Sequence, residues 1–326
     1  GSRVSQPEDF LRIAERIEDW TVIIALIGEG QEIHVGEEGG LAQWNDAMRK
    51  VRRRWTVHCP ARFEETFSEA VDVVIHPELD LNVSLRSHLA EDVDRWVACL
   101  LDGDLKRAET LSHRIKGQGF DMYYTRDLEK AQDYVRSRYA GTTGKKYGLI
   151  ASSKAVDLEY YGIPNNYFAT RKVKYGPWYN SGPADRHSCC AMDEVVTEFG
   201  CQGLELDFPI VCWGSDMKWD GDGWRTPITR RINARNPRVL RLNSYRVLLT
   251  RGRDGFLVFV PPARRYDVSA SALKSAGMEG LDGDRTVAGP SRQSSPMSPV
   301  RIFGKSGLSG GHSLYRTTSW TGRRGL

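Results

Sequence analysis

The sequence predicts an α/β protein built on a parallel sheet. Unbroken apolar runs at 147–151, 209–213 and 256–260 have the length of strands buried on both faces, which is how strands of a parallel sheet read. Segments of helical spacing alternate with such runs: strand 120–125, helix 128–139 and strand 147–151 make a β-α-β unit. With 326 residues, 40% hydrophobic and 27% charged, the chain has length for two ordinary domains and the composition of a globular protein.

In order, residues 7–19 set Phe10, Leu11, Ile13, Ala14 and Ile17 among acids and arginines at helical spacing, with Pro7 in the first turn. Residues 20–27 read as a fully buried strand. Gly28-Glu29-Gly30-Gln31-Glu32 follows at its carboxyl end, where open α/β sheets bind ligands. Gln31 there offers a polar group suited to sensing a phosphate or a water. A glycine-rich turn and a helix carrying Leu41, Trp44, Ala47, Met48 and Val51 come next. Residues 55–59 and 71–75 read as strands, 89–101 and 240–250 as helices, and 268–276 as the last helix. Gly141-Thr142-Thr143-Gly144-Lys145 lacks the spacing of a phosphate-binding P-loop and reads as a connecting loop. From 281 onward Ser, Gly, Pro and Arg dominate, the composition of a disordered tail.

Two stretches carry chemistry. In the first, Thr197 to Asp207, apolar runs flank a polar link whose Gly200 and Gly203 let the backbone bend or approach a ligand. Glu205, between Leu204 and Leu206, places a carboxylate on apolar ground and needs a partner. In the second, residues 171–179, cations are interleaved with rings. Single-stranded nucleic acid is held by such a mixture, Lys172 and Lys174 on phosphates and Tyr175 and Trp178 under bases; alternatively the rings pack back on the domain. Lys50-Val51-Arg52-Arg53-Arg54 is a further basic cluster, read either as a solvated helix end or as a phosphate contact. The six cysteines are expected to be reduced thiols, and their spacing does not suit zinc. Asp207, Asp216, Asp220 and Asp222 are the carboxylates a nuclease would use, but Asp220-Gly221-Asp222-Gly223 reads more simply as a turn. No apolar run reaches the length of a membrane span and no signal peptide is visible, so no membrane partner and a cytoplasmic location are expected.

Thr197, Gln202, Gly203, Leu204, Glu205 and Leu206 together resemble motif V of superfamily-one helicases. Leu248-Leu249-Thr250-Arg251-Gly252-Arg253 resembles motif VI, and the segment ending in Arg86-Ser87 resembles motif IV. With Gly28-Glu29-Gly30-Gln31-Glu32-Ile33-His34, Ala151-Ser152-Ser153-Lys154 and Lys174-Tyr175-Gly176-Pro177-Trp178, most of the chain resembles the Schlafen group 3-like DNA/RNA helicase domain. The resemblance implies RecA-like folds: residues 1–79 as the remnant of a first such domain with motif III, 80–280 as a complete second one with motifs IV, V and VI, and 281–326 as the tail. It implies ATP and Mg²⁺ as cofactors. The P-loop and Walker B segments that hold them precede the Gln31 segment in this family, so the chain alone is expected to be inactive. Arg251 and Arg86 would stabilise charge on the transferring phosphate and Gln31 would sense it. Glu205, Gly203, Gln202 and Arg253 would surround the nucleotide, and Thr197 would lie near nucleic acid. Family members often carry an aromatic residue five places before the motif VI arginine; here Tyr245 is six before it. The partner implied is single-stranded DNA or RNA, with a nuclease or another domain fused or associated upstream. The leading expectation is part of an ATP-dependent helicase or translocase; a catalytically silent nucleic-acid-binding module and a nuclease are the alternatives.

Overall fold

The computed structural model describes residues 4–26, 33, 39–80, 88–227 and 236–281. Gln31, Arg86 and the segment beyond 281 lie outside the described residues.

The chain begins with α1 (Gln6–Ala14), α2 (Ala42–Met48), β1 (Thr56–Cys59) and β2 (Asp72–Ile75). Then come α3 (His88–Asp102), α4 (Leu105–Gly117), β3 (Asp121–Thr125), α5 (Leu128–Arg138) and β4 (Tyr147–Ala151). Two short helices, α6 (Tyr167–Thr170) and α7 (Tyr175–Asn180), lead to β5 (Val195–Thr197), α8 (Glu198–Cys201) and β6 (Phe208–Cys212). A hairpin of β7 (Lys218–Trp219) and β8 (Trp224–Arg225) precedes α9 (Pro237–Leu249), β9 (Gly255–Phe259), α10 (Asp267–Ser275) and β10 (Glu279–Gly280).

Six strands form one sheet in the order β10-β3-β9-β6-β4-β5, and every pairing in it is parallel. Helices flank the sheet, as expected of a RecA-like α/β domain. Every residue of β4, β6 and β9 is buried, which is why these strands read as unbroken apolar runs. In α3, Val93, Trp96, Val97, Leu100 and Leu101 recur at helical spacing and are all buried. The Trp96 indole N–H donates to the Ala276 carbonyl at 2.9 Å, tying α3 to the end of α10. Helix α4, which the sequence pattern does not announce, starts at Asp104, whose carboxylate accepts from the Arg107 N–H at 3.1 Å, and it buries Ala108 and Ile115.

The earlier part of the chain has its own apolar cluster, in which Leu11, Ala47, Met48, Cys59 and Phe67 are buried. Lys50 and Arg53 of the basic cluster are used locally: Lys50 Nζ lies 3.3 Å from the Glu8 carboxylate, and Arg53 donates to the Glu18 carbonyl at 2.7 Å. Residues 20–26 correct an expectation. They form no strand, and Trp20, Val22, Ile24 and Leu26 are exposed. An apolar run states that a segment is suited to a sheet interior, but burial also requires neighbouring strands, and among the described residues none pairs with it. The first helix also ends earlier than expected, at Ala14. At the other end, the Leu281 N–H, just after β10, donates to the Tyr124 carbonyl at 2.9 Å. Among the described residues, no helix is long and apolar enough to cross a membrane.

Candidate nucleic-acid interface

The candidate site residues fall at two ends of the sheet. Thr197 closes β5 at its carboxyl end, beside Ala151 of β4. Below it lies a buried polar network that sequence reasoning misses. Glu198 is buried, and its carboxylate accepts from the Ser153 N–H at 2.8 Å and the Ser153 hydroxyl at 2.9 Å. Arg241, from α9, lies 3.7 Å from Glu198 and 3.0 Å from Asp216, and donates to the Ser152 hydroxyl at 2.6 Å. Asp216 also accepts from the hydroxyls of Ser152 at 2.6 Å and Tyr245 at 2.8 Å. The network therefore fastens the exits of β4, β5 and β6 to α9. Burial pushes the Glu198 carboxyl up from the ordinary range, against the opposing effects of the Ser153 N–H and Arg241. Its members lie far apart in sequence, and no local pattern announces them.

Gln202, Gly203, Glu205, Arg251 and Arg253 gather instead near the amino ends of β6 and β9. Leu206 and Gly252 are bridged there, the Leu206 N–H donating to the Arg251 carbonyl at 2.8 Å and the Arg253 N–H to the Leu206 carbonyl at 2.9 Å. Gly203 has φ +82°, a left-handed backbone that favours glycine. Glu205 finds its partner in Arg253, at 2.8 Å, and both side chains stay partly exposed. Arg251 is only 4% exposed. Its Nε donates to the Val247 carbonyl at 2.8 Å, Nη1 to the Leu204 carbonyl at 3.1 Å and Nη2 to the Thr250 hydroxyl at 2.9 Å. The guanidinium thus joins the end of α9 to the Gln202–Glu205 link rather than projecting into a cleft.

The basic-aromatic stretch and the Thr197 segment form one surface. The ring of Tyr175 lies over Gly200 so closely that a Cβ built there would meet ring atoms at 2.4 to 2.8 Å. The Tyr179 hydroxyl donates to the Glu205 carbonyl at 2.8 Å, pinning α7 to the same link. Arg171, Lys172, Lys174 and Tyr175 are exposed, while Val173 and Trp178 are buried anchors. Trp178, expected under a base, instead belongs to the core: it is fully buried in α7, while Lys172 and Lys174, which precede the helix, are exposed.

The family description "Schlafen group 3, DNA/RNA helicase domain" matches residues 1–262. The chain belongs to that family. Its role is accordingly of the helicase-like, nucleic-acid-related kind. No curated protein and no solved structure matches it significantly. Arg251, where the resemblance implies a phosphate-facing finger for the ATP of a helicase domain, is 4% exposed and donates from Nε, Nη1 and Nη2 to groups within the domain. Tyr245, at the position that departs from the family spacing, is fully buried with its hydroxyl on Asp216.

The four aspartates of the nuclease alternative do not converge in this Schlafen-type domain. Asp207 binds Lys145 at 2.9 Å, and Asp216 is held by Arg241. Asp220 accepts from the N–H groups of Asp222 and Gly223 at 3.0 Å each, the turn read from the sequence. Among the described residues, no group of three His, Cys, Asp or Glu side chains is placed to hold a metal ion.

Proposed function

We propose that this domain grips single-stranded DNA or RNA along the surface made by the basic-aromatic stretch and the neighbouring Phe199–Gly200 turn of α8, as the nucleic-acid-contacting part of a helicase or translocase. The observation carrying the reading is the seating of Tyr175 on Gly200: it joins the two stretches and leaves Arg171, Lys172 and Lys174 facing solvent. Those cations would neutralise phosphates, while Thr197, buried at the end of β5, lies behind the surface rather than on it. Buried Trp178 and Val173 hold the stretch in place. A cytoplasmic location goes with this reading and is supported by the six free thiols.

Replacing Lys172 and Lys174 together with Ala should weaken binding to single strands and flatten its salt dependence, by roughly 0.7 in the log–log slope for each phosphate no longer neutralised. Fluorescence anisotropy across a salt series measures both. An unchanged slope would remove these lysines from the interface.

The second reading, a binding module without turnover, is favoured by the engagement of Arg251 within the domain. On that reading the chain binds single strands yet releases no phosphate from ATP. Strand-stimulated phosphate release at the order of 10 s⁻¹ typical of enzymes would discard it.

A further inference from the structure

From the placement of Tyr167 and Phe168 we infer a base-stacking platform, on which unpaired bases of a single strand rest while its phosphates follow Arg171, Lys172 and Lys174. The inference rests on the nucleic-acid reading given above and adds to it the residues that would take the bases once Trp178 is excluded.

Four observations carry it. Tyr167 and Phe168 are each 71% exposed, with ring centroids 5.9 Å apart and planes at 72°. Two adjacent large aromatics left in water contribute little to folding, and exposed rings of this kind mark binding surfaces. Their backbone is fixed, which separates them from a floppy loop tip. The Asn166 side chain accepts from the Ala169 N–H at 2.9 Å, capping α6. The preceding Asn165 amide donates to the carbonyls of Ser152 at 2.8 Å and Ala155 at 2.9 Å. Ile163 before the pair and Val173 after it are buried, and α6 packs against β5, the edge strand that ends in Thr197.

The third observation is charge. The Arg171 guanidinium lies 5.7 Å over the Tyr167 ring, and Lys172 and Lys174 follow in exposed positions. Rings flanked by cations complement a strand that offers base faces and phosphates together; a purely apolar partner would have no use for the cations. The fourth is continuity, since Tyr175 and Phe199 are also partly exposed, on the helices either side of the Gly200 contact. Stacking on rings is tolerant of sequence because every base has a π-face, so this platform would favour unpaired over paired strands without reading sequence.

The test is anisotropy of labelled single-stranded DNA and RNA oligonucleotides, of about 20 nucleotides so as to cover a typical site, with the Tyr167→Leu/Phe168→Leu protein. Leucine keeps apolar bulk and removes the π-face, and both positions are exposed, so the fold survives; an unaltered thermal midpoint confirms it. Affinity for single strands should fall about 10- to 100-fold with no change in salt slope. An abasic oligonucleotide of the same length should bind the parent and the leucine protein equally. If the leucine protein binds as the parent does while the Lys172→Ala/Lys174→Ala protein is impaired, the platform is wrong and the nucleic-acid reading stands, and these rings serve a different partner. If the leucine protein loses base-containing and abasic strands alike, stacking is also rejected. If the parent binds no single strand at any salt concentration, the underlying reading fails, and the platform with it.

Discussion

Trp178→Ala is expected to cost about 3–5 kcal/mol of stability, the range for emptying a large aromatic from a packed core. The indole is fully buried at the heart of α7, and the surrounding core relaxes only partly around the void. Among the described residues its N–H has no hydrogen-bond partner, so Trp178→Phe forfeits no bond there and should cost much less than the alanine change. Urea denaturation of the two variants gives the comparison. The alanine protein will also bind single strands poorly, through loss of the surface that α7 carries. Wild-type stability in Trp178→Ala, combined with lost binding, would mean that the ring faces the ligand after all.

The second large effect is expected at Arg241. Removing one partner of a buried ion network costs about 3–5 kcal/mol, because the carboxylates left behind are desolvated and unbalanced. Arg241→Ala leaves Asp216 and Glu198 in the network without a cation, so a loss of that size should appear near neutral pH. Its pH dependence follows from Glu198. Burial already raises that carboxyl above its unfolded value, so its neutral form is preferred in the fold. A group raised in this way supports the fold most at low pH and loses that support as pH rises through its folded pKa. Arg241 opposes the rise, and deleting it moves the folded pKa further up. The variant should therefore lose stability with increasing pH more steeply than the parent, and the gap between them should narrow on going from about pH 7.5 to about pH 5.5. Equilibrium unfolding at both pH values is the measurement, and a gap that does not vary with pH would show that Glu198 is not the responding group.

Much of the sheet is readable from residue order. Strands buried on both faces leave unbroken apolar runs, and β4, β6 and β9 stand out on that basis, with helices α3, α5, α9 and α10 by their spacing. Helix α4 escapes the pattern, although Asp104 caps it, because its apolar positions are thinly set among Lys, Arg and Glu. The run at 20–26 obeys the same rule as β4 and comes out exposed, since composition describes a segment and burial describes its neighbours. Local pattern finds the stretches that meet in the candidate interface but not their orientation: in residues 171–178, Trp178 is buried within α7 and Lys174, the extended residue ahead of it, is exposed, which residue order does not announce. The Glu198–Arg241–Asp216 network joins residues from three separate elements, and only the tertiary fold brings them into one place.

The strand order also governs how this domain is made. β3 lies between β9 and β10, the last two strands of the described residues, with Asp121 opposite Gly255 and Tyr124 opposite Gly280. During synthesis β4, β5 and β6 have one another as soon as β6 emerges, whereas β3 waits without either neighbour until more than half of the domain has followed it out of the ribosome. Such distant pairings must be closed against chain entropy before they return any stability, which makes folding slow. A nascent chain halted ahead of β9 carries a bare strand edge, the kind of surface that chaperones cover and that other unfinished chains can pair with.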